Sequence, residues 1–419
     1  MSNNIRFDLS DRLIHFFRRV DLEGDSAPAI QPEHFAFNSY VEGTVWPALF
    51  LLRCAVRSHR LWATWSVRGG ARTIFGPRPA VCFSEMPLAA FLEASRSREA
   101  AGQAMSGYAL TFPKTAMHAV GANPVVYGLT ERSVPLPKGL GGGPRIFPRE
   151  VLPEPEQYRY VTYNPSGPYK VDWMHEREWR WPYSGSLASV EHELEEYGLI
   201  SDAADIPGFD FADPRLKGIG IIVKSAEDAR KLKHDVLALI DRGVVHRNHF
   251  DHILVQDLLP DTSSLIGPDD VQAAINGALI DFSSYFNLPG ADVKQIVSDF
   301  SGRVQRLEGR APEMTSPPLE RGGCWLWLHD NTHPYVRALV QAGRVTVNKE
   351  GRYVASLDEL DSGRDLRERQ QLTLELAREL QVEFCIHSGY FLVLNSFDSD
   401  GIPFYIDSLP EDDLYNNCG

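Results

Sequence analysis

The sequence predicts an α+β protein of several domains: a mixed, split β-sheet domain first, a helical connector next, and a small α+β domain last. Three observations predict it. The chain has 419 residues, beyond the roughly 250–300 that a single core reaches. In the first half, short β-type runs alternate with helical segments without the regular spacing of a doubly wound parallel sheet. Two stretches rich in proline, glycine and polar residues, 258–270 and 311–323, read as linkers. They divide the chain into residues 1–257, 258–310 and 311–419.

The elements follow in order. LIHFF (13–17) is the first strand. VWPALFLLRCAVR (45–57) places Leu49, Leu52 and Val56 on helical spacing, with Pro47 in the first turn, where a missing N–H costs nothing. LWATWSV (61–67) reads as a strand and RGGARTIFGPRP (68–79) as a loop. AVCFSE (80–85) is a short strand stopped by Pro87, and LAAFLEASRSREA (88–100) is a helix with Leu88, Phe91, Leu92 and Ser95 on one side. YALTFP (108–113) and NPVVYGLT (123–130) are further strands, 132–168 is a long loop, and WMHEREWRW (173–181) is the next strand. GIGIIV (218–223) is a buried type of strand. Ser225 then caps a helix with Ala229, Leu232, Val236, Leu237 and Ile240 on its apolar face, and Asp228 completes a weakened capping box. A helical stretch spans about 271–308, broken at Pro289 and Gly290, and the tail alternates strand-like runs with one strong helix at 364–380.

Composition narrows the function. Lys and Arg total 42 against 56 Asp and Glu, a net charge of −14, which argues against a whole-chain binder of nucleic acid or anionic membrane. The five cysteines are odd in number and form no CxxC pair. That pattern speaks against a disulfide framework or zinc finger and for a reducing cytoplasm. The opening residues lack a signal-peptide pattern. No apolar run reaches the roughly 18–20 residues of a membrane helix. The expectation is a soluble cytoplasmic protein without a membrane partner.

Four constellations could carry chemistry. In HEREWRW (175–181), strand alternation would put Glu176 and Glu178 on one face and Arg177, Trp179 and Trp181 on the other. Two carboxylates so placed suit a reaction through an oxocarbenium-like state, one stabilising the positive charge and one assisting the nucleophile. An isolated E-x-E is more often a charged strand edge. In the second, Arg68, Gly69, Gly70, Arg72 and Arg78 precede Ser84; arginines beside glycines can grip a pyrophosphate, although a solvated hairpin has the same composition. In the third, Arg12 and His15 lie on the first strand, where an apolar-flanked His is commonly a core residue. In the fourth, His246, His249 and His252 with Asp251 could hold a metal, but they fit strand and core equally well, and no metal is expected.

The ordered segments PAVCFSEMPL (79–88), SGYALTFPKTAMHAVGANPVVY (106–127) and HEREWRW (175–181) resemble the AbiGi-type abortive phage resistance family. The resemblance covers about residues 10–250. The wider layout also resembles the DarT-like ADP-ribosyltransferases, in which a His-Phe strand, a glycine loop leading to a Phe-Ser/Thr strand end, and a later strand with the catalytic glutamate follow one another. Carried over, His15 or Arg12 takes the first position, Ser84 the second and Glu178 the third, with Phe75, Trp62 and Tyr163 as candidates for an aromatic lid.

The resemblance implies an ADP-ribosyltransferase-like fold and an NAD-dependent ADP-ribosyltransferase effector, toxin-like, in bacterial anti-phage defence. NAD would be a substrate. The catalytic set would be Glu178, Glu176 and Ser84, and the NAD-binding set Arg12, His15, Arg68, Gly69, Gly70 and Arg72. The acceptor would be a macromolecule, protein or nucleic acid, with an antitoxin or phage protein as a further partner. Two alternatives remain: a non-catalytic antitoxin or sensor of an abortive-infection system, and, ranked below it, a metal-dependent nuclease built on the histidines. The tail (322–405) resembles an uncharacterised domain attached to such proteins and implies no chemistry.

Overall fold

The computed structural model describes residues 10–419 except 25–26, 29, 36, 69–70, 104, 129–142, 165–171, 262–263, 265–267, 280–281, 315–316 and 411. The chain forms two compact units. The first comprises residues 1–229, 248–280 and 417–419, and the second 230–247 and 281–416. Both are mixtures of helix and strand.

The first unit is built on seven strands: β1 (Arg12–Phe16), β2 (Ala80–Ser84), β3 (Ala109–Pro113), β4 (Asn123–Pro124), β5 (Glu178–Pro182), β6 (Ile219–Val223) and β7 (Phe250–Val255). Their order is β4-β5-β2-β1-β3-β6-β7. Neighbours are antiparallel except β6 and β7, which run parallel, so the sheet is mixed. The ladder parts in its middle. β1 pairs with β3 at five positions, and β2 pairs with β5 at five, yet β1 and β2 meet only at Ile14↔Ser84. Across that gap the His15 ring donates from Nδ1 to the Cys82 carbonyl at 2.9 Å, so a side chain supplies a hydrogen bond where the backbone ladder is interrupted.

Helices α1 (Ala48–Ser58), α2 (Leu88–Ala100), α3 (Lys114–Ala119), α4 (Ala188–Tyr197) and α6 (Pro268–Ala278) accompany this sheet in the chain, whereas α5 (Ala226–Asp241) starts in this unit and its residues 230–241 belong to the second. Pro47 immediately precedes α1, whose Leu52, Ala55 and Val56 are buried at spacings that return to one face. The apolar side of α2 buries Phe91, Leu92 and Ser95. The capping box of α5 is reciprocal: Asp228 N–H donates to Ser225 Oγ at 3.1 Å, and Ser225 N–H donates to Asp228 Oδ2 at 3.0 Å.

Two local expectations need correction. LWATWSV is not one strand: Arg60–Trp62 and Val67–Arg68 are separate, divided at Ser66, whose φ of 47° is left-handed. Val67–Arg68 pairs with Ala71–Arg72, so Arg68 and Arg72 stand on hairpin arms rather than in an open loop. Nor is WMHEREWRW one strand. Met174–Glu176 is a single 3-10 turn, its first N–H held by Asp172 Oδ1 at 3.0 Å, and Arg177 at φ 45° turns the chain into β5. Glu176 therefore lies off the strand, and the shared strand face expected for the two glutamates does not exist.

The second unit has an antiparallel sheet of five strands, β8 (Gly322–Leu328), β9 (Val345–Val347), β10 (Tyr353–Ser356), β11 (Ser388–Leu394) and β12 (Tyr405–Ile406), in the order β9-β10-β8-β11-β12. With it come α7 (Gly290–Arg310), α8 (Pro334–Gln341) and α9 (Leu366–Phe384). Phe300, Val304 and Leu307 of α7 join Leu326, Leu339 and Leu376 in one core. The 258–310 connector is accordingly redrawn. The apolar stripe of α7 is core to the second unit, while α6 belongs to the first.

Candidate functional site

The split in the first unit's sheet opens into a cavity of about 580 Å³, within the range of sites for small molecules and cofactors. β1 supplies His15, β2 supplies Cys82, Phe83 and Ser84, and β5 supplies Glu178 and Arg180; Glu176 and Trp173 come from the turn before β5, and Arg68 from the hairpin. Five arginines line the wall, Arg18, Arg60, Arg68, Arg145 and Arg180, against two carboxylates, Glu176 and Glu178. In a chain of net charge −14, this is a local reversal of sign. Such a wall favours an anionic ligand, and Trp46, Trp62 and Trp173 on the same wall offer flat surfaces for a ring.

Each glutamate is held by an arginine. Glu178 faces Arg180 two residues along β5, as strand alternation requires. Arg180 Nε donates to Glu178 Oε1 at 2.7 Å and Nη2 to Oε2 at 3.2 Å. Arg180 is 4% exposed, and its Nη1 donates to the carbonyls of Tyr158 and Tyr160 at 2.6 and 3.3 Å. Burial works against the guanidinium charge, but Glu178 outweighs it and keeps the Arg180 pKa above its usual value. Glu176 accepts from Arg98 Nη1 at 3.0 Å. Ser84 Oγ donates to the Glu176 carbonyl at 2.7 Å and accepts from Met86 N–H at 3.2 Å. Its proton is thus committed to fixing the turn that carries Glu176.

His15 is an uncharged group in this site. Burial depresses its pKa from 6.5 to about 4, against a smaller upward pull from the Cys82 carbonyl. With Nδ1 donating, Nε2 is left as an acceptor. Burial and the neighbouring Arg68 charge both lower the Arg18 pKa, so two guanidinium groups share one region of the cavity. Arg68 also stands 5.0 Å from the Trp173 ring centre. Cys82 lines the cavity as a thiol, since burial followed by Glu178 pushes its pKa up.

Of the residues proposed from the sequence, Glu178, Glu176, Ser84, His15 and Arg68 line this cavity; Arg12 and Arg72 are not among its lining residues. Arg12 donates from Nε to Thr111 Oγ1 at 2.9 Å and from Nη2 to the Thr111 carbonyl at 3.2 Å and the Gly218 carbonyl, which ties it to β3 rather than to the gap. Arg72 stacks on Trp65 at 4.0 Å. Gly69 and Gly70 lie outside the described residues. Of the aromatic candidates Trp62 lines the cavity, whereas Phe75 packs on Phe147 and Tyr160, and Tyr163 is not on the wall. The sequence reading missed Arg180, although its i+2 spacing from Glu178 was visible. It also missed Arg18, Arg145 and Trp173, which only the tertiary fold brings in.

No group of three or more His, Cys, Asp or Glu suited to a metal occurs among the described residues. His249 is buried, with Nε2 2.7 Å from the Phe211 carbonyl, and His252 contacts Asp251 at 3.4 Å. No helix among the described residues is long and apolar enough to cross a membrane.

Comparison with known proteins reaches the second unit and, in the first, only residues 417–418. Residues 288–418 match a family described as a protein of unknown function (DUF4427). No curated protein matches the chain, and no solved structure matches it.

Proposed function

We propose that the first unit is an NAD-consuming ADP-ribosyltransferase and that its cavity holds the dinucleotide. The observation that carries this reading is the meeting of Glu178, Glu176 and His15 with five arginines in one cavity of about 580 Å³. Arg180 is held by Glu178; the other four, Arg18, Arg60, Arg68 and Arg145, suit the pyrophosphate, since guanidinium groups pair with phosphate oxygens, and the aromatic wall suits the bases. In the reaction the bond between ribose C1′ and nicotinamide breaks, and nicotinamide leaves with the bonding electron pair. Glu178 stabilises the oxocarbenium-like ribose through its negative charge and a hydrogen bond accepted from a ribose hydroxyl. The acceptor's nucleophile then bonds to C1′, and Glu176 takes up the proton it releases.

The acceptor is a macromolecule, protein or nucleic acid, and the biological setting proposed from the family resemblance is a toxin-like effector in anti-phage defence, acting in the cytoplasm. Calorimetry with NAD, together with nicotinamide release in the presence of cell extract, tests the reading. Saturable binding and release support it; absence of both defeats it. The pairing of both glutamates with arginines favours one alternative, a non-catalytic antitoxin or sensor that keeps the cavity. That alternative requires binding without any nicotinamide release.

A further inference from the structure

We infer that Arg180 is a positioning residue that fixes the orientation of the Glu178 carboxylate in the cavity. The inference rests on the role given to Glu178 above.

A free glutamate side chain has three rotatable bonds, and its terminal torsion is broad. A carboxylate that must meet a ribose hydroxyl and a nascent cation gains from being held, because misplacement by about 1 Å can cost roughly 100-fold in rate. Arg180 supplies that hold. Its Nε and Nη2 take both oxygens of Glu178, at 2.7 and 3.2 Å, in the planar two-point geometry that fixes a carboxylate's plane as well as its position. A lysine, a single point charge on a flexible stem, cannot do this.

The clamp is itself anchored. Nη1 reaches the Tyr158 and Tyr160 carbonyls, so the guanidinium is bound on its far side by backbone. Its placement also follows from register: Arg180 lies opposite Cys82 on β2, and Glu178 lies opposite Ser84. Both side chains therefore project from one face of the same ladder. Each carboxylate oxygen has two acceptor positions. One per oxygen serves Arg180 and the Cys82 thiol takes a third, which leaves one for a ligand hydroxyl. The clamp thus orients Glu178 without using up its capacity to accept.

The test is nicotinamide release and NAD binding by the full chain, compared among wild type, Arg180→Lys, Glu178→Gln and the double variant, with circular dichroism and thermal melts as a check on folding. Arg180→Lys keeps the buried charge and is the variant best suited to fold. The expected result is a loss of kcat of roughly tenfold or more with NAD affinity within about threefold, the fraction of lost binding being small because Arg180 acts through Glu178. In the Glu178→Gln background, Arg180→Lys should lower kcat no further than about twofold, since its target is already gone. Two results would overturn the inference alone: wild-type turnover that Arg180→Lys matches, or losses from the two substitutions that multiply. An Arg180→Lys protein that folds but loses NAD binding in proportion to rate would overturn it as well, by making Arg180 a ligand contact. If wild type releases no nicotinamide, the transferase reading falls and this inference falls with it.

Discussion

Lowering the pH should destabilise the first unit through His15. Burial depresses this imidazole from 6.5 to about 4, so the folded state holds it neutral while the unfolded chain protonates it near 6.5. Between those values the unfolded state binds more protons, and stability falls as pH falls. The contribution is present above pH 6.5 and is lost progressively as pH falls to about 4. The full difference corresponds to about 3 kcal/mol, of which about 2 kcal/mol disappears between pH 7 and pH 5. That is a large share of the roughly 5–15 kcal/mol that holds a domain together. The perturbation is His15→Asn, whose amide nitrogen can still donate to the Cys82 carbonyl across the β1–β2 gap but does not titrate in this range. Urea denaturation of both proteins, followed by tryptophan fluorescence at pH 7, 6 and 5, isolates the His15 contribution as a difference, because groups common to both cancel. The wild type should lose about 2 kcal/mol more than the variant over this interval. A difference between the two that does not change with pH would refute the reasoning. It would mean that His15 is solvated or paired well enough to stay protonated in the fold.

Two further outcomes follow from the same geometry. Asp241 accepts from Arg337 Nη2 at 3.0 Å and from the Tyr353 hydroxyl at 2.7 Å, and Arg337 is 3% exposed; Asp241→Ala should therefore cost the second unit about 3–5 kcal/mol by stranding a buried guanidinium, seen as a lower thermal midpoint, and an unchanged midpoint would contradict the pairing. Arg68→Ala should weaken NAD binding by roughly tenfold, in keeping with loss of a charged hydrogen bond, while Arg72→Ala, which removes a stack on Trp65 outside the cavity wall, should leave calorimetric affinity within about twofold; equal losses would mean that both arginines contact the ligand.

The parts of this fold that local rules govern were legible. The cap at Ser225, the apolar face of α5 and the strands ending at Ser84 and Pro113 depend on neighbours in sequence, and reading the sequence locates them. The turn at Met174–Glu176 was not legible, because its break comes from Arg177 in a left-handed conformation, with no glycine or proline to announce it. That hidden turn moved Glu176 off the strand and made Arg180, not Glu176, the strand neighbour that shares Glu178's face. The stripe Phe300, Val304, Leu307 was readable as helix, but its allegiance was not, since proline occurs on both sides of it and only the core it enters assigns it. Arg12 and Arg72 looked equivalent to Arg68 from composition. Which arginine faces the gap depends on the register of β1 against β3 and of the hairpin arms, neither of which the sequence specifies.

The central claim is that Glu178 stabilises charge that develops as the nicotinamide–ribose bond breaks. The measurement that tests it most directly is single-turnover nicotinamide release from labelled NAD, with NAD affinity measured in parallel, for wild type and Glu178→Gln. An interaction made mainly in the transition state lowers turnover and leaves ground-state binding nearly intact. The account predicts a rate on the order of 100–1,000-fold lower with the dissociation constant changed by no more than about threefold. Equal rates in the two proteins, or a wild type that neither binds nor consumes NAD, would contradict it.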